Sequence, residues 1–380
     1  MGLIAKLTDV AGRILVTGGA GFIGSHLVAR LVDEGAEVVV IDSLEQQVHA
    51  GVRPALPHGV TFFEGSVGNR DLVNEALANV DSVVHLAAAV GVGQSMYEIE
   101  RYVEVNSVAT ARFLECLVNA SRNLRRLVVA SSMSIYGEGE YHCVTHGFVA
   151  PRLRPDVQLD QRRWECVCPH CGSELTSIGT RETKPLIPTS VYAITKRDHE
   201  ELCHVVGSAY GIPTVALRFF NVYGPGQALS NPYTGVAAIF SSRLLNDNPP
   251  LIFEDGEQSR DFIHVSDIVE GIVCALSSTA AVGSSINLGT GRAVSVNEIA
   301  DLLRDGLGKE IDAEHPGSFR AGDIRHCFAD TTLARGLLGF EAKVRLEDGV
   351  RELVEWVRSQ TASDRVEEAA AELASRGLAR

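Results

Sequence analysis

Apolar residues follow two different periods along the first half of the chain. The runs Ile14–Thr17, Glu37–Ile41, Val60–Glu64, Ser82–His85 and Arg126–Ala130 are short and rich in Val and Ile, which predicts buried strands. Between them, Gly24–Asp33 and Tyr102–Ala120 carry apolar positions at helical spacing. Thr214–Arg218 predicts one more strand. Strand and helix in alternation predict an α/β fold, a doubly wound parallel sheet with helices on both faces.

The periodicity stops near Glu138. From there to Thr189 the chain is rich in Pro, Arg, Cys and Gly and shows no period. Residues 138–189 are therefore expected to be an insertion within a first domain spanning 1–221. Beyond Asn221 the elements shorten and glycine and proline increase. Residues 222–380 are expected to form mainly a smaller α/β substrate domain, with the chain free to cross back to the first sheet. Asp364–Arg380 has the alanine and glutamate content of a terminal helix.

Composition narrows the partners. The chain has 380 residues, 45% hydrophobic and 22% charged, which is enough for a sizeable core. Its formal net charge of −14 repels phosphate backbones and argues against nucleic acid as a partner. No apolar run has membrane-spanning length, and MGLIAKLTDVAG lacks the basic start and long apolar core of a signal peptide. A cytoplasmic location and no membrane partner are expected. Cys116, Cys203, Cys274 and Cys327 stand in apolar surroundings and read as core residues.

The strand ILVT runs directly into GGAGFIGSH. Gly18, Gly21 and Gly24 allow a sharp turn and close approach of the backbone to a pyrophosphate, with the helix N-terminus offering free N–H groups. The spacing G-x-x-G-x-x-G differs from the commoner G-x-G-x-x-G. Asp42 closes the second strand, where a carboxylate can accept hydrogen bonds from an adenosine ribose. Ser43, Leu44 and Glu45 follow without a cation for a 2′-phosphate, which favours NAD over NADP. The alternative, a tight turn with no ligand, does not account for Asp42.

In TSVYAITK, Tyr192 and Lys196 lie one helical turn apart, with Thr189 or Ser190 as the cap. A phenol of pKa about 10 is a weak base near neutrality. An adjacent ammonium and a positive nicotinamide would lower that value. Y-x-x-x-K is common by chance; after a complete dinucleotide half it is a strong signal. ASSMSIYGEGE follows the strand RRLVV, so Ser132 or Ser134 would face the ligand crevice beside Tyr192. Ser131 is expected to cap its own loop.

TGGAGFIGSH, HLAA, SSMSIYG, YAITK, RFFNVYGPGQ and SRDFIHVSDI occur in the order found in extended short-chain dehydrogenases/reductases. The chain resembles the NAD-dependent nucleotide-sugar epimerases of that family over nearly all of residues 13–340, excluding the insertion. The resemblance implies a Rossmann sheet and a dinucleotide held by Gly18, Gly21, Phe22, Ile23, Gly24, Asp42, Ser66, Val67, Leu86, Ala87, Ala88, Tyr192 and Lys196. It implies Ser132 as catalytic hydroxyl, Tyr192 as general base and Lys196 as its partner. Asn221, Arg260 and Arg320 would bind a substrate diphosphate, arginine being suited to bidentate phosphate contacts, and Ser134 a substrate hydroxyl. It also implies a homodimer formed through helices near Tyr102–Ala120 and Val191–Tyr210.

Two departures from the family matter. Sugar dehydratases carry Asp-Glu after the catalytic hydroxyl, where this chain has Met133 and Ser134. Without that acid and base, water elimination lacks its proton carriers. Ser66 stands where many relatives have Asp near the adenine.

The remaining four of the eight cysteines crowd into residues 143–171. Cys143-Val-Thr-His146-Gly147 and Cys168-Pro-His-Cys171-Gly172 each resemble a zinc knuckle. Cys143, His146, Cys168 and Cys171 together give a Cys3His set suited to one structural zinc. Cys166 is a spare or an alternative fourth ligand, and a redox pair or plain cysteine loops are the other readings.

The expected activity is inversion of C4 in a nucleotide sugar by transient oxidation with tightly held NAD. The insertion, GPGQALSNPYTG and IFEDGEQSRDFIHV are similar to those of bacterial dTDP-L-rhamnose 4-epimerases, which implies that sugar or a related dTDP- or UDP-hexose. A dehydrogenase, reductase or decarboxylase on the same scaffold is one alternative. A non-enzymatic zinc-ribbon interaction module on a dinucleotide sensor is another, against which Ser132, Tyr192 and Lys196 speak.

Overall fold

The computed structural model describes residues 12–120, 124–320 and 322–379. The first eleven residues, expected to carry no leader, and Arg380, the end of the expected terminal helix, lie outside the described residues.

The strands are, in chain order, β1 (Arg13–Thr17), β2 (Glu37–Asp42), β3 (Thr61–Glu64), β4 (Ser82–His85), β5 (Arg126–Ser132), β6 (Glu140–Cys143), β7 (Gly147–Val149), β8 (Thr176–Ile178), β9 (Thr214–Phe219), β10 (Asn221–Tyr223), β11 (Ser259–Arg260), β12 (Phe262–His264), β13 (Ser285–Leu288), β14 (Val294–Ser295) and β15 (His326–Cys327). Seven of them form one sheet in the order β13-β9-β5-β4-β1-β2-β3. Every pair in it is parallel. The chain winds outward from β1 through β2 and β3, then returns to β4 and winds the other way. The order therefore reverses between β1 and β4, where ligands bind in open α/β sheets.

Alternate side chains of a strand point to opposite faces, and both faces here are apolar. Ile14 and Val16 pack in one core with Val84, Leu217 and Ile272. Leu15 packs in the other with Val39, Val83, Leu127 and Phe113. Burial on both sides explains why the strands read as unbroken apolar runs. β5 continues two residues beyond the expected end at Ala130, which carries Ser132 to the strand tip. β13 comes from beyond Asn221 and pairs with β9, so the chain does cross back.

The expected helix Tyr102–Ala120 is real but irregular. It consists of Ile99–Tyr102, a π-helical stretch Val103–Val108 and Ala109–Asn119. π turns tend to mark sites where backbone groups are redirected, and here the Asn106 carbonyl accepts from His199 Nε2 at 2.7 Å. The terminal helix is Val366–Ser375, shorter than the pattern suggested. Of the four isolated cysteines, Cys116, Cys203 and Cys327 are buried, whereas Cys274 is only partly covered.

β6, β7 and β8 form a small antiparallel sheet within the inserted segment, in the order β7-β6-β8. Beyond Asn221, β10 pairs with β12, and β11 lies between β14 and β15. A separate apolar cluster there includes Phe240, Leu244, Ile299, Leu303 and Leu353.

The helix Val191–Tyr210 crosses β5 and β9. Its rotation is fixed by the buried Glu200, whose carboxylate accepts from Arg218 Nε at 3.0 Å and Nη2 at 2.5 Å, and from Ser285 Oγ at 2.8 Å. Breaking one side of a buried ion pair strands the other charge. Glu200→Ala should lower unfolding stability by about 3–5 kcal/mol, measured by denaturant titration; a loss below about 1 kcal/mol would show that the helix is not held in this way.

Candidate active site

At the carboxyl end of β1, Gly18 adopts φ +70°, a left-handed conformation that favours glycine, and a Cβ there would lie 2.8 Å from the Ala87 amide nitrogen. A Cβ on Gly24 would lie 2.1 Å from the Gly18 carbonyl oxygen. Both positions require glycine for close packing of loop, helix and β4. The helix Phe22–Asp33 begins after Gly21 with no side-chain cap, which leaves its first N–H groups available to an anion. These features fit a dinucleotide pyrophosphate.

Asp42 is buried at the end of β2 and accepts from the amides of Ala20 at 3.0 Å and Leu44 at 2.9 Å. The glycine loop and the ribose-binding candidate thus hold one another in place. Ser66 accepts from the Gly68 amide at 3.1 Å and is exposed. Sequence reasoning missed Arg101, which stands 3.5 Å from Glu45 and 2.6 Å from Glu98. Those two carboxylates pair with its guanidinium where it lines the cavity.

Ser190, not Thr189, caps the helix that carries Tyr192 and Lys196; its Oγ accepts from the Ala193 amide at 3.1 Å. Thr189 Oγ1 donates to the Gly322 carbonyl at 3.1 Å. The Tyr192 amide donates to Ser95 Oγ at 3.0 Å, which ties the helix start to the loop beyond β4. Ser132 Oγ accepts from the Ser134 amide at 3.2 Å and from Ser134 Oγ at 2.9 Å. Ser132 rather than Ser131 therefore caps the turn, and Ser134 orients Ser132. Ser131 is instead buried beside Glu200.

The electrostatics differ from the simple expectation. Burial pushes the Tyr192 phenol up to about 12, and the Ser132 hydroxyl beside it pulls the other way. Burial pushes the Lys196 ammonium down to about 8. Desolvation disfavours both charged forms, and Lys196 does not overcome it for Tyr192. Lys196 Nζ instead meets His199 Nδ1 at 3.4 Å. His199 Nε2 donates to the Asn106 carbonyl, so Nδ1 is the acceptor for Lys196. Burial and the nearby Lys196 ammonium hold His199 well below the usual imidazole range, hence neutral. His199 left no signal in the sequence, because only folding brings it against the π-helical stretch.

One cavity of about 1140 Å³ holds the expected residues together. It is lined by Gly18, Gly21, Phe22, Ile23, Gly24, Asp42, Ser66, Val67, Leu86, Ala87, Ala88, Ser132, Ser134, Tyr192 and Lys196, and also by Asn221, Arg260 and Arg320. The last three lie on the side built from the second half of the chain. Asn221 Oδ1 is buried with no partner among the described residues, which leaves an acceptor open to a ligand N–H or O–H, and a diphosphate oxygen would have to meet the amide Nδ2 instead. Arg260 donates from Nη1 to the carbonyls of Ser259 at 2.8 Å and Arg325 at 3.0 Å, and from Nη2 to that of Ile324 at 2.7 Å. Arginine has five N–H donors, so Nε and one Nη2 hydrogen remain. Arg320 gives Nε to Asp323 Oδ2 at 2.9 Å and stacks over Phe253.

The knuckle residues also converge, away from that cavity. Cys143, His146, Cys168 and Cys171 place their ligand atoms within 4.8 Å of one another. Cys143 Sγ lies 3.5 Å from His146 Nδ1 and 3.7 Å from Cys171 Sγ, and Cys168 Sγ lies 3.5 Å from His146 Nδ1. A tetrahedral zinc with Zn–S near 2.3 Å and Zn–N near 2.0 Å requires S···S of about 3.7 Å and S···N of about 3.5 Å. The donor set therefore fits that ion. Gly147 and Gly172 close the two turns at φ +70° and +73°. Cys166 falls outside this group; it packs with Tyr141 and Leu175, and burial pushes its thiol up.

Comparison with known proteins agrees with this geometry. The model of the NAD dependent epimerase/dehydratase family matches residues 14–151 and 165–289. The unmatched stretch between them falls inside the insertion. The chain is 34% identical over 361 residues to a dTDP-L-rhamnose 4-epimerase of Burkholderia thailandensis, covering 94% of this chain and 97% of that protein. It superposes on UDP-glucose 4-epimerase of Thermotoga maritima with a TM-score of 0.74, at 31% identity and 91% and 98% coverage of the two chains. For UDP-glucuronic acid 4-epimerase of Bacillus cereus, solved with UDP-glucuronic acid and NAD, the TM-score is 0.75 at 30% identity, with 91% and 99% coverage. With its glycine loop, Tyr192 and Lys196 one turn apart on a single helix and this match along most of its length, the chain belongs to the NAD dependent epimerase/dehydratase family.

Proposed function

We propose that the chain is an NAD-dependent nucleotide-sugar 4-epimerase acting on dTDP-L-rhamnose or a closely related dTDP- or UDP-hexose. The observation that carries the reading is one cavity in which Ser132, Tyr192 and Lys196 stand between a dinucleotide cradle and the Asn221–Arg260–Arg320 side. The substrate assignment is supported by the Burkholderia relative, which aligns over 94% of this chain and 97% of its own length. In this reading residues 1–221, with β13, hold the cofactor. Residues 222–380 mainly hold the sugar nucleotide. The eight unpaired thiols suit a reducing cytoplasm.

NAD, which Gly18, Gly21, Gly24 and Asp42 would hold, would supply a reversible hydride acceptor for the sugar C4. The chain's own residues do the rest. Ser132, oriented by Ser134, hydrogen-bonds the C4 hydroxyl, and Tyr192 takes and later returns its proton. Lys196, held by neutral His199, adds an ammonium to the lining of the same cavity. Asn221, Arg260 and Arg320 anchor the diphosphate while the sugar turns over. Met133 and Ser134 supply no acid-base pair, so water is not eliminated.

Tyr192→Phe keeps the ring and removes the proton carrier. Turnover should fall at least about a hundredfold, with NAD content unchanged after denaturation and extraction. Substrate deuterated at C4 should keep its label in the epimer; label released to solvent would overturn transient oxidation.

The Cys3His cluster is assigned one structural zinc. Elemental analysis should give about one zinc per chain. The variant Cys168→Ser/Cys171→Ser should lose it, and unchanged metal content would refute the assignment.

A homodimer is assigned to the helices near Tyr102–Ala120 and Val191–Tyr210. They leave apolar side chains open, among them Ile194 at 49% and Val205 at 68% exposure, with Val103 and Val105 less so. Sedimentation should give twice the chain mass at micromolar concentration, and a monomer there would exclude this interface.

A further inference from the structure

The insertion has too little apolar interior to hold itself. Its buried cluster is Tyr141, Cys143, Val149, Cys166, Cys168 and Leu175, and two of those cysteines are candidate metal ligands. Backbone hydrogen bonds join it to the rest of the chain, among them the Gly139 amide to the His326 carbonyl and the Thr180 amide to that of Phe328, and charge adds to them. Glu165, beside Cys166, reaches β15. Its Oε1 accepts from Arg325 Nε at 2.8 Å and Nη2 at 2.6 Å, and its Oε2 from His326 Nε2 at 3.1 Å. The Ser259 amide donates to His326 Nδ1 at 3.2 Å, so Nε2 carries the proton given to Glu165.

This network ends under the diphosphate candidates. β15 pairs with β11, the strand of Ser259 and Arg260. The Arg260 guanidinium is aimed by the carbonyls of Ile324 and Arg325. Arg320 is held by the Asp323 carboxylate, and the Asp323 carbonyl accepts from Arg154 Nη2 at 3.3 Å. Arg154 belongs to the insertion as well. It grips Glu254 with two bonds of 2.8 Å and the Trp164 carbonyl at 2.9 Å. Both candidate cations therefore rest on one backbone segment, 323–325, which the insertion holds from beneath.

We propose that Glu165 and Arg154 are positioning residues for Arg260 and Arg320, so that the ordered insertion sets the affinity of the cavity for a nucleoside diphosphate. The inference rests on the nucleotide-sugar reading above. The metal-binding segment then acts at a distance, since the knot between Cys143 and Cys171 fixes Glu165 without touching substrate. Arg325 keeps Asp255 at 2.6 Å and Glu254 at 3.2 Å when Glu165 is altered, so the fold has other anchors there.

The test uses the full-length protein with its cofactor and calorimetric titration with dTDP and, separately, UDP, which report the diphosphate grip without chemistry. Glu165→Gln keeps length and loses charge; Glu165→Asp keeps charge and loses reach. Each should weaken nucleotide binding about tenfold, the scale of a lost charge-assisted hydrogen bond, with NAD content and melting temperature unchanged. Wild-type protein stripped of metal by a chelator should show the same weakening, and stripping should add little in the Glu165→Gln variant. Wild-type affinity in both Glu165 variants would overturn the proposal. Equal loss of NAD and nucleotide would overturn it too, because that marks general loosening. Failure of the wild type to bind either nucleotide would instead refute the nucleotide-sugar reading itself. Weakening in the variants of a protein that contains no metal would retain the positioning role and remove zinc from it.

Discussion

A parallel sheet sends every strand toward the same edge, and the site of this protein depends on that constraint. β1 ends in the Gly18 turn, β2 in Asp42, β5 in Ser132, and β9 runs on to Asn221. These residues come from distant parts of the chain, yet each follows a strand interior that is almost completely buried. Close packing fixes such interiors, so the groups just beyond them inherit fixed positions. Tyr192 and Lys196 are different, since they sit on a helix. Their placement needs the Ser190 cap, the Ser95 contact and the Glu200–Arg218 pair. The sheet supplies the platform, and a buried ion pair sets the rotation of the helix lying on it.

What could be read from the sequence follows from the same physics. Strands buried on two faces give unbroken Val and Ile runs, so β1, β2, β4 and β5 were visible with small errors at their ends. Gly18 and Gly24 were visible because close backbone approach excludes a side chain. The two knuckles were visible because their ligands are local in sequence. β13 was not identified, because Ser285–Leu288 is four residues long and gains its strand character only beside β9. His199 and Arg101 were missed for a related reason. Each has one neighbour close in sequence, Lys196 and Glu98, but their other partners, Asn106 and Glu45, lie far away in the chain. Ser131 was expected to cap the turn, a place that Ser132 takes, since only the extra length of β5 decides which serine stands there.

The shifts at Tyr192 and Lys196 show how the reaction site differs from a surface pair. In water an ammonium would help a phenol ionise. Here desolvation opposes both charges, raising one group and lowering the other. A neutral imidazole at Lys196 Nζ satisfies a hydrogen without adding an anion that would compete for the ammonium. Ionisation of Tyr192, which makes it a base, is then favoured only when further positive charge stands beside it. In the proposed reaction an oxidised nicotinamide would add that charge, and Tyr192 would act as a base beside the hydride acceptor.

The insertion applies the opposite logic. The main sheet is held by apolar area, which is strong but indifferent to direction. Residues 138–189 add to their backbone bonds with the β15 region a set of contacts from Glu138, Arg154 and Glu165 to Arg325 and Glu254. Buried ion pairs contribute little net stability against apolar substitutes, because desolvation offsets their attraction. What they do provide is angular definition, particularly with the forked geometry of arginine. Holding a loop in place would not require them. Holding the 323–325 backbone at an angle that aims two arginines into the cavity does, and the insertion enters the fold between Ser132 and Tyr192, which line that same cavity.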